Sequence, residues 1–256
     1  MKRLLLLSLL LSAGCSDALE QSTSAGQVIA VVNSTVNSLS LISASNFTAT
    51  TLDMRTPAGT PVSIAGRGSI LFVPLGAANA VAVIDLATRT DTVSRVIPLA
   101  NNSGATGVAI QDDSIAWVAN PNLNTVTRVN YRTGDTSSIR VGVYPQALAI
   151  AAGKVFVVNG NLVTFAPAGP SWITAFPASG PYSSSAIDSI PLSCTNAQFA
   201  TVGADGFLYV VCSGRFGGGD GKLSIVDPTT REEVAVLNGL GDFPGAAVYQ
   251  IGRAHV

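Results

Sequence analysis

A chain of 256 residues, 47% apolar and 11% charged, carries a formal net charge of −1. That balance excludes an electrostatic case for nucleic acid or for an anionic membrane surface. Short apolar runs broken by Gly, Asn, Ser, Thr and Pro point instead to many strands joined by turns, and none beyond Cys15 approaches the roughly 18 residues that span a bilayer, so membrane attachment would have to be covalent.

The first element in chain order is a leader. Met1-Lys2-Arg3 is basic, Leu4 to Leu11 is apolar apart from Ser8, and Ser12-Ala13-Gly14-Cys15 reads as a small-residue cleavage site ending on cysteine. The stretch resembles a bacterial lipobox, although Ser12 stands where such boxes usually carry Leu. The resemblance implies cleavage after Gly14 and lipidation of Cys15; an ordinary secretory signal with an incidental cysteine is the alternative. Ser16 after the cysteine implies the outer membrane, on its periplasmic side or at the cell surface. Residues 1–14 are therefore expected to be a signal peptide and 15–26 a flexible tether of small polar residues.

From residue 27 the chain repeats itself. A strand B recurs as Val28–Asn33, Ile70–Pro74, Ile115–Asn120, Val155–Asn159 and Phe207–Cys212, each a short β-branched or aromatic run. A strand C follows at Ser38–Ile42, Asn79–Asp85, Asn124–Asn130, Ser171–Phe176 and Lys222–Asp227, with an insertion around residues 160–170 before the fourth. Its period-two alternation places Val81, Val83, Val126 and Ile225 on a buried face. Polar turns then lead to an outer strand D, as at Thr92–Ile97, Ser137–Val141 and Glu233–Leu237. A Gly or Pro turn opens a strand A of small residues, suited to a crowded axis: Thr60–Ile64, Tyr144–Ile150 and Phe243–Val248. Four strands per radial repeat predict an all-β fold, a β-propeller of four-stranded blades.

The sequence Trp117-Val-Ala-Asn120 with Asn124-Thr-Val-Thr-Arg-Val-Asn130, and Asn79-Ala-Val-Ala-Val-Ile-Asp85, resembles the YVTN-repeat or YncE-like β-propellers. The likeness covers about residues 27–249, with Pro74 and Cys212 in place of the family's Asn and Asn130 in place of its Asp. It implies seven blades in a full-length protein, of which five and one strand A are visible here. It is specific for fold and says little about function.

Residues 27–250 are thus assigned to an incomplete propeller. The closing Ile251-Gly-Arg-Ala-His-Val256 matches no repeat, carries the chain's single His, and is what one reading frame of a common sequencing adapter encodes. These six residues are expected to be an artefact, and the ring to be C-terminally truncated.

Cys194 and Cys212 flank a hairpin turning near Ala204-Asp205-Gly206, a register that puts Cys212 opposite about residue 196. A disulfide is expected in an exported protein, two buried thiols being the alternative. Without a His before residue 251, Ser-His-Asp, Cys-His and His-ligated metal sites have no candidate residues in this stretch. No cofactor is expected, since Trp117 and Trp172 are too few for a Trp-rich redox centre. Asp85 and Asp227 end strand C, where Asp normally bonds its own backbone. The run Arg215–Asp220 looks like a phosphate loop but lacks the strand–loop–helix context. Propellers place ligands where D–A and B–C loops emerge, and on that face lie Asn33, Asn120, Tyr144, Asn159 and Arg215. The resulting expectation is a lipid-anchored scaffold binding an envelope protein or a cell-wall component. The alternative is a lactonase- or lyase-like propeller enzyme with its catalytic residues in further blades.

Overall fold

The computed structural model describes residues 27–88, 93–180, 182 and 187–249. The leader with Cys15, the tether, Thr92, Gln250 and residues 251–256 lie outside the described residues. The fold is a β-propeller: five antiparallel sheets in strict chain order about one axis. Blade 1 holds β1 (Val28–Asn33), β2 (Ser38–Ser43) and β3 (Ala49–Asp53). Blade 2 holds β4 (Ala65–Arg67), β5 (Ile70–Pro74), β6 (Ala80–Asp85) and β7 (Arg95–Pro98). Blade 3 holds β8 (Val108–Ile110), β9 (Ile115–Asn120), β10 (Thr125–Asn130) and β11 (Thr136–Arg140).

In blade 4, β12 (Pro145–Ala151) and β13 (Lys154–Asn159) are followed by a small separate hairpin, β14 (Leu162–Val163) and β15 (Ala166–Pro167). The blade resumes with β16 (Trp172–Pro177) and β17 (Asp188–Pro191). Blade 5 holds β18 (Ala197–Val202), β19 (Leu208–Cys212), β20 (Lys222–Asp227) and β21 (Glu232–Asn238). The innermost strands β4, β8, β12 and β18 line the axis, which is why small residues occupy them.

The core lies between blades. Alternation along β6 sends Val81 and Val83 against blade 3 and Ala80, Ala82 and Ile84 against blade 1, so both faces of the strand are dry. Between blades 3 and 4, Trp117 packs edge-on against Phe176 at 5.2 Å and gives its indole N–H to Gln111. Between blades 4 and 5, Phe156, Ile173 and Ile190 meet Leu208, Val210 and Val226.

Three expectations are corrected here. Strand A of blade 2 forms at Ala65–Arg67, because Thr60 to Ser63 are held as a loop by Leu75 O, Pro74 O and side-chain contacts to neighbouring blades. Phe243–Val248 forms no strand: Pro244 O accepts from the Gln198 and Ser213 side chains rather than from a ladder partner. Ile225 is half-buried opposite Tyr209, whereas Ser224 and Val226 face blade 4.

Candidate functional site

On the loop face, a repeated asparagine closes the B–C connection of blades 1, 2 and 3. Asn37, Asn79 and Asn124 adopt left-handed backbone conformations just before β2, β6 and β10, which Asn tolerates better than most residues. Their side chains then hold the following D–A loop. Asn79 Oδ1 accepts from Ser103 Oγ and Gly104 N, Asn124 Oδ1 accepts from Tyr144 N at 2.9 Å, and Asn37 Nδ2 donates to Thr56 O.

The asparagines that end strand B point sideways along the sheet. Asn33 Nδ2 donates to Ser38 and Ser40, Asn120 Nδ2 to Thr125 and Thr127, and Asn159 Nδ2 to Trp172 O and Thr174. Asn120 and Asn159 are completely buried. The expectation that these two contact a ligand is therefore corrected: they pin strand B to strand C. Their Oδ1 atoms have no hydrogen-bond partner among the described residues. At Asn159 the backbone of Gly142 comes so close that a Cβ there would lie 2.5 Å from Asn159 Cγ.

Around the axis, side chains at the loop end hand hydrogen bonds from one blade to the next. Ser34 donates to Pro61 O, Ser63 to Thr106 O, and Thr106 to Gln146 O. Gln146 then donates to Asn196 Oδ1 and Ala197 O, and Gln198 to Pro244 O. Gln146 and Gln198 occupy equivalent β-bulges, at the register breaks of β12 and β18. A bulge re-aims one side chain out of the alternation, here across to the next blade. Sequence reasoning missed both; their signal was a Gln at the second place of strand A, in Pro145-Gln146 and Ala197-Gln198. The cavity that they line with Ser63, Gly107 and Phe199 measures about 100 Å³. Ligand pockets usually exceed about 300 Å³, so this mouth is smaller than a usual ligand pocket.

Elsewhere the carboxylates are engaged in turns. The Ser69 hydroxyl, followed by the Ala87 N–H, holds Asp85 below the usual carboxylate range. Asp227 accepts from Thr229 N and Thr230 N. Burial pushes Asp112 up, but the Ser114 hydroxyl and N–H and the Ile115 N–H outweigh it and hold the carboxyl low. Hydrogen bonding to Asp205 raises the Tyr209 phenol to about 12. Among the described residues no group of three His, Cys, Asp or Glu is placed to hold a metal ion. Cys194 and Cys212 are disulfide-bonded, with Cα atoms 6.0 Å apart, tying the D–A connection to the end of β19. Arg215 is exposed on the B–C loop of blade 5, its N–H bonded to Asp220. No helix of the described residues is long and apolar enough to cross a membrane.

What projects from the loop face is aromatic. Phe165, at the tip of the β14–β15 hairpin, is 80% exposed and meets the half-buried Tyr144 ring edge-to-face at 6.2 Å. Phe216 on the blade 5 loop is 89% exposed and meets Phe243 at 6.0 Å. The expected site residues Tyr144 and Arg215 thus sit on two separate loop clusters, and Phe165 and Phe216 were not anticipated. Their signal was an aromatic inside each B–C insertion.

No family model matches the chain, and no curated protein matches it. Among solved structures it is similar to a streptogramin B lyase at 14% identity and TM-score 0.65, over 85% of this chain and 65% of that one. Virginiamycin B lyase from Staphylococcus aureus gives 15% identity and TM-score 0.65, over 84% and 67%. Hydrazine synthase from Kuenenia stuttgartiensis gives 18% identity and TM-score 0.60, over 72% of this chain and 50% of that one. At these identities the likeness shows the propeller fold.

Proposed function

We propose that this chain is a lipid-anchored binding propeller of the bacterial cell envelope, of the YVTN-repeat, YncE-like kind. It would be held through Cys15 on the periplasmic side of the outer membrane or at the cell surface, and would present its loop face to an envelope protein or cell-wall component. One observation carries the reading. The polar groups ringing the axis are engaged blade to blade, while exposed aromatics, each against a second ring, project from the loops around them. A face built this way offers contact area and shape.

Two measurements on expressed protein test it. Labelled palmitate should enter the wild type and be lost in Cys15→Ala, with the variant moving from the membrane to the soluble fraction. Purified wild type should cosediment with isolated envelope material. Unlabelled wild type, or no retention by any envelope fraction, would contradict the proposal.

The likeness to streptogramin B lyases favours a second reading, a lyase-like propeller enzyme. Turnover of a streptogramin B antibiotic by the purified chain would support it over the first.

A further inference from the structure

We infer that the β14–β15 hairpin and Tyr144 form a platform for an uncharged chain of pyranose sugars. The inference rests on the loop face being a binding face and names the ligand class. In blades 1 and 3 the B–C connection is a single 3-10 turn, Ser34–Val36 or Pro121–Leu123. Blade 4 replaces it with a hairpin whose two turn residues, Thr164 (φ 51°) and Phe165 (φ 62°), are both left-handed. That is the geometry of a type I′ turn, normally filled by Asn-Gly. A bulky aromatic there is strained, and Phe165, at 80% exposed, recovers little of that through burial. Strain held at an exposed aromatic is a feature of presentation rather than of packing.

The platform is preorganised. Asn161 donates to Val143 O and, through Nδ2, to Pro170 O, and Leu162 is buried beneath the hairpin. Tyr144 is fixed at both ends of its peptide unit, its N–H by Asn124 and its carbonyl by Gly160 N. Its ring stands at 84° to that of Phe165, so the pair offers a corner of one face and one edge. The Tyr144 hydroxyl has no protein partner among the described residues. Burial alone raises its phenol, with no charged neighbour contributing.

The chemistry selects the occupant. Residues 141–144 and 160–171 contain no Asp, Glu, Lys, Arg or His, so these segments offer an ionic ligand no charged partner, which favours an uncharged one. Aromatic faces are electron-rich and attract the weakly positive C–H faces of pyranose rings, while a free phenol hydroxyl suits sugar hydroxyls. A protein interface would want a wider anchor cluster with Arg or Trp and a charged rim.

The test titrates the detergent-solubilised full chain with the uncharged hexasaccharides of N-acetylglucosamine and of glucose. At least one should bind. Phe165→Ala should weaken that binding about tenfold, Phe165→Trp should preserve it, and Tyr144→Phe should weaken it about threefold, all with unchanged melting curves. The inference is overturned if neither hexasaccharide binds, or if Phe165→Ala binds as wild type does. Cosedimentation with an envelope protein through Phe165, without sugar binding, would also overturn it while leaving the scaffold reading standing. Failure to be retained by any envelope fraction would remove that reading itself.

Discussion

Blades 3 and 5 are built from the same four strands, yet they differ in how far a neighbour encloses them. In blade 3, β9 is buried at all six positions because blades 2 and 4 cover its two faces. In blade 5 the equivalent strand β19 is half-buried at Tyr209, and Leu223 of β20 is half-buried where β10 of blade 3 buries Val126. The repeat determines the strands, whereas the adjacent blade determines what each strand contributes to stability.

The contrast is sharpest at single side chains. Trp117→Ala in blade 3 should lower unfolding free energy by about 3–5 kcal/mol, since it leaves a large cavity and strands Gln111. Val31→Ala on the open face of blade 1, where Val31 is 40% exposed, should stay below about 1 kcal/mol. Denaturant unfolding of the two variants measures the difference, and equal losses would erase the distinction between enclosed and open blades.

Blade 5 has a compensation that blade 3 lacks. Its disulfide closes a loop across a sequence separation of 18, so replacing both Cys194 and Cys212 by Ala should remove about 3 kcal/mol. Unfolding in oxidised and reduced buffer checks this, and the double variant should respond to neither.

Asparagine pins allow a finer comparison. Asn120→Ala should destabilise by about 1–3 kcal/mol, because it unmakes buried bonds to Thr125 and Thr127. The half-buried Asn33 should lose less on the same change.

These pins also mark what was legible in the sequence. Strands B and C could be read because each alternates at period two and recurs at a constant spacing. Asn120 and Asn159 were misassigned because a residue at a strand end is placed on a face by its number, while its side chain is aimed by local hydroxyls such as Thr127 and Thr174. Strand A was hardest to place. The bulges at Gln146 and Gln198 break its period, and Thr60–Ser63 are held as a loop by bonds to their own blade's Pro74 and Leu75 and to neighbouring blades. Phe165 escaped notice because nothing in Leu162-Val-Thr-Phe165 announces a type I′ turn without Asn-Gly.

A smaller effect concerns acid. The Asp112 carboxyl is held below its ordinary value of 3.8 by Ser114 and Ile115 despite its burial. A carboxyl depressed in the folded state contributes stability that is present above the unfolded value and lost as pH falls through the folded one. Unfolding followed from roughly pH 5 to pH 2 should therefore show a shallower loss in Asp112→Asn than in wild type. Parallel curves would remove Asp112 from the account.

The central claim is that the blade interiors hold the ring together while the β14–β15 hairpin is shaped to present Phe165. The variant Thr164→Asn with Phe165→Gly tests it on one protein, by following unfolding and hexasaccharide binding together. Asn-Gly relieves the left-handed strain, so the variant should be as stable as wild type or more stable by about 0.5–1 kcal/mol, and should lose binding about tenfold or more. A variant that unfolds earlier than wild type, or that binds as well, would contradict the account.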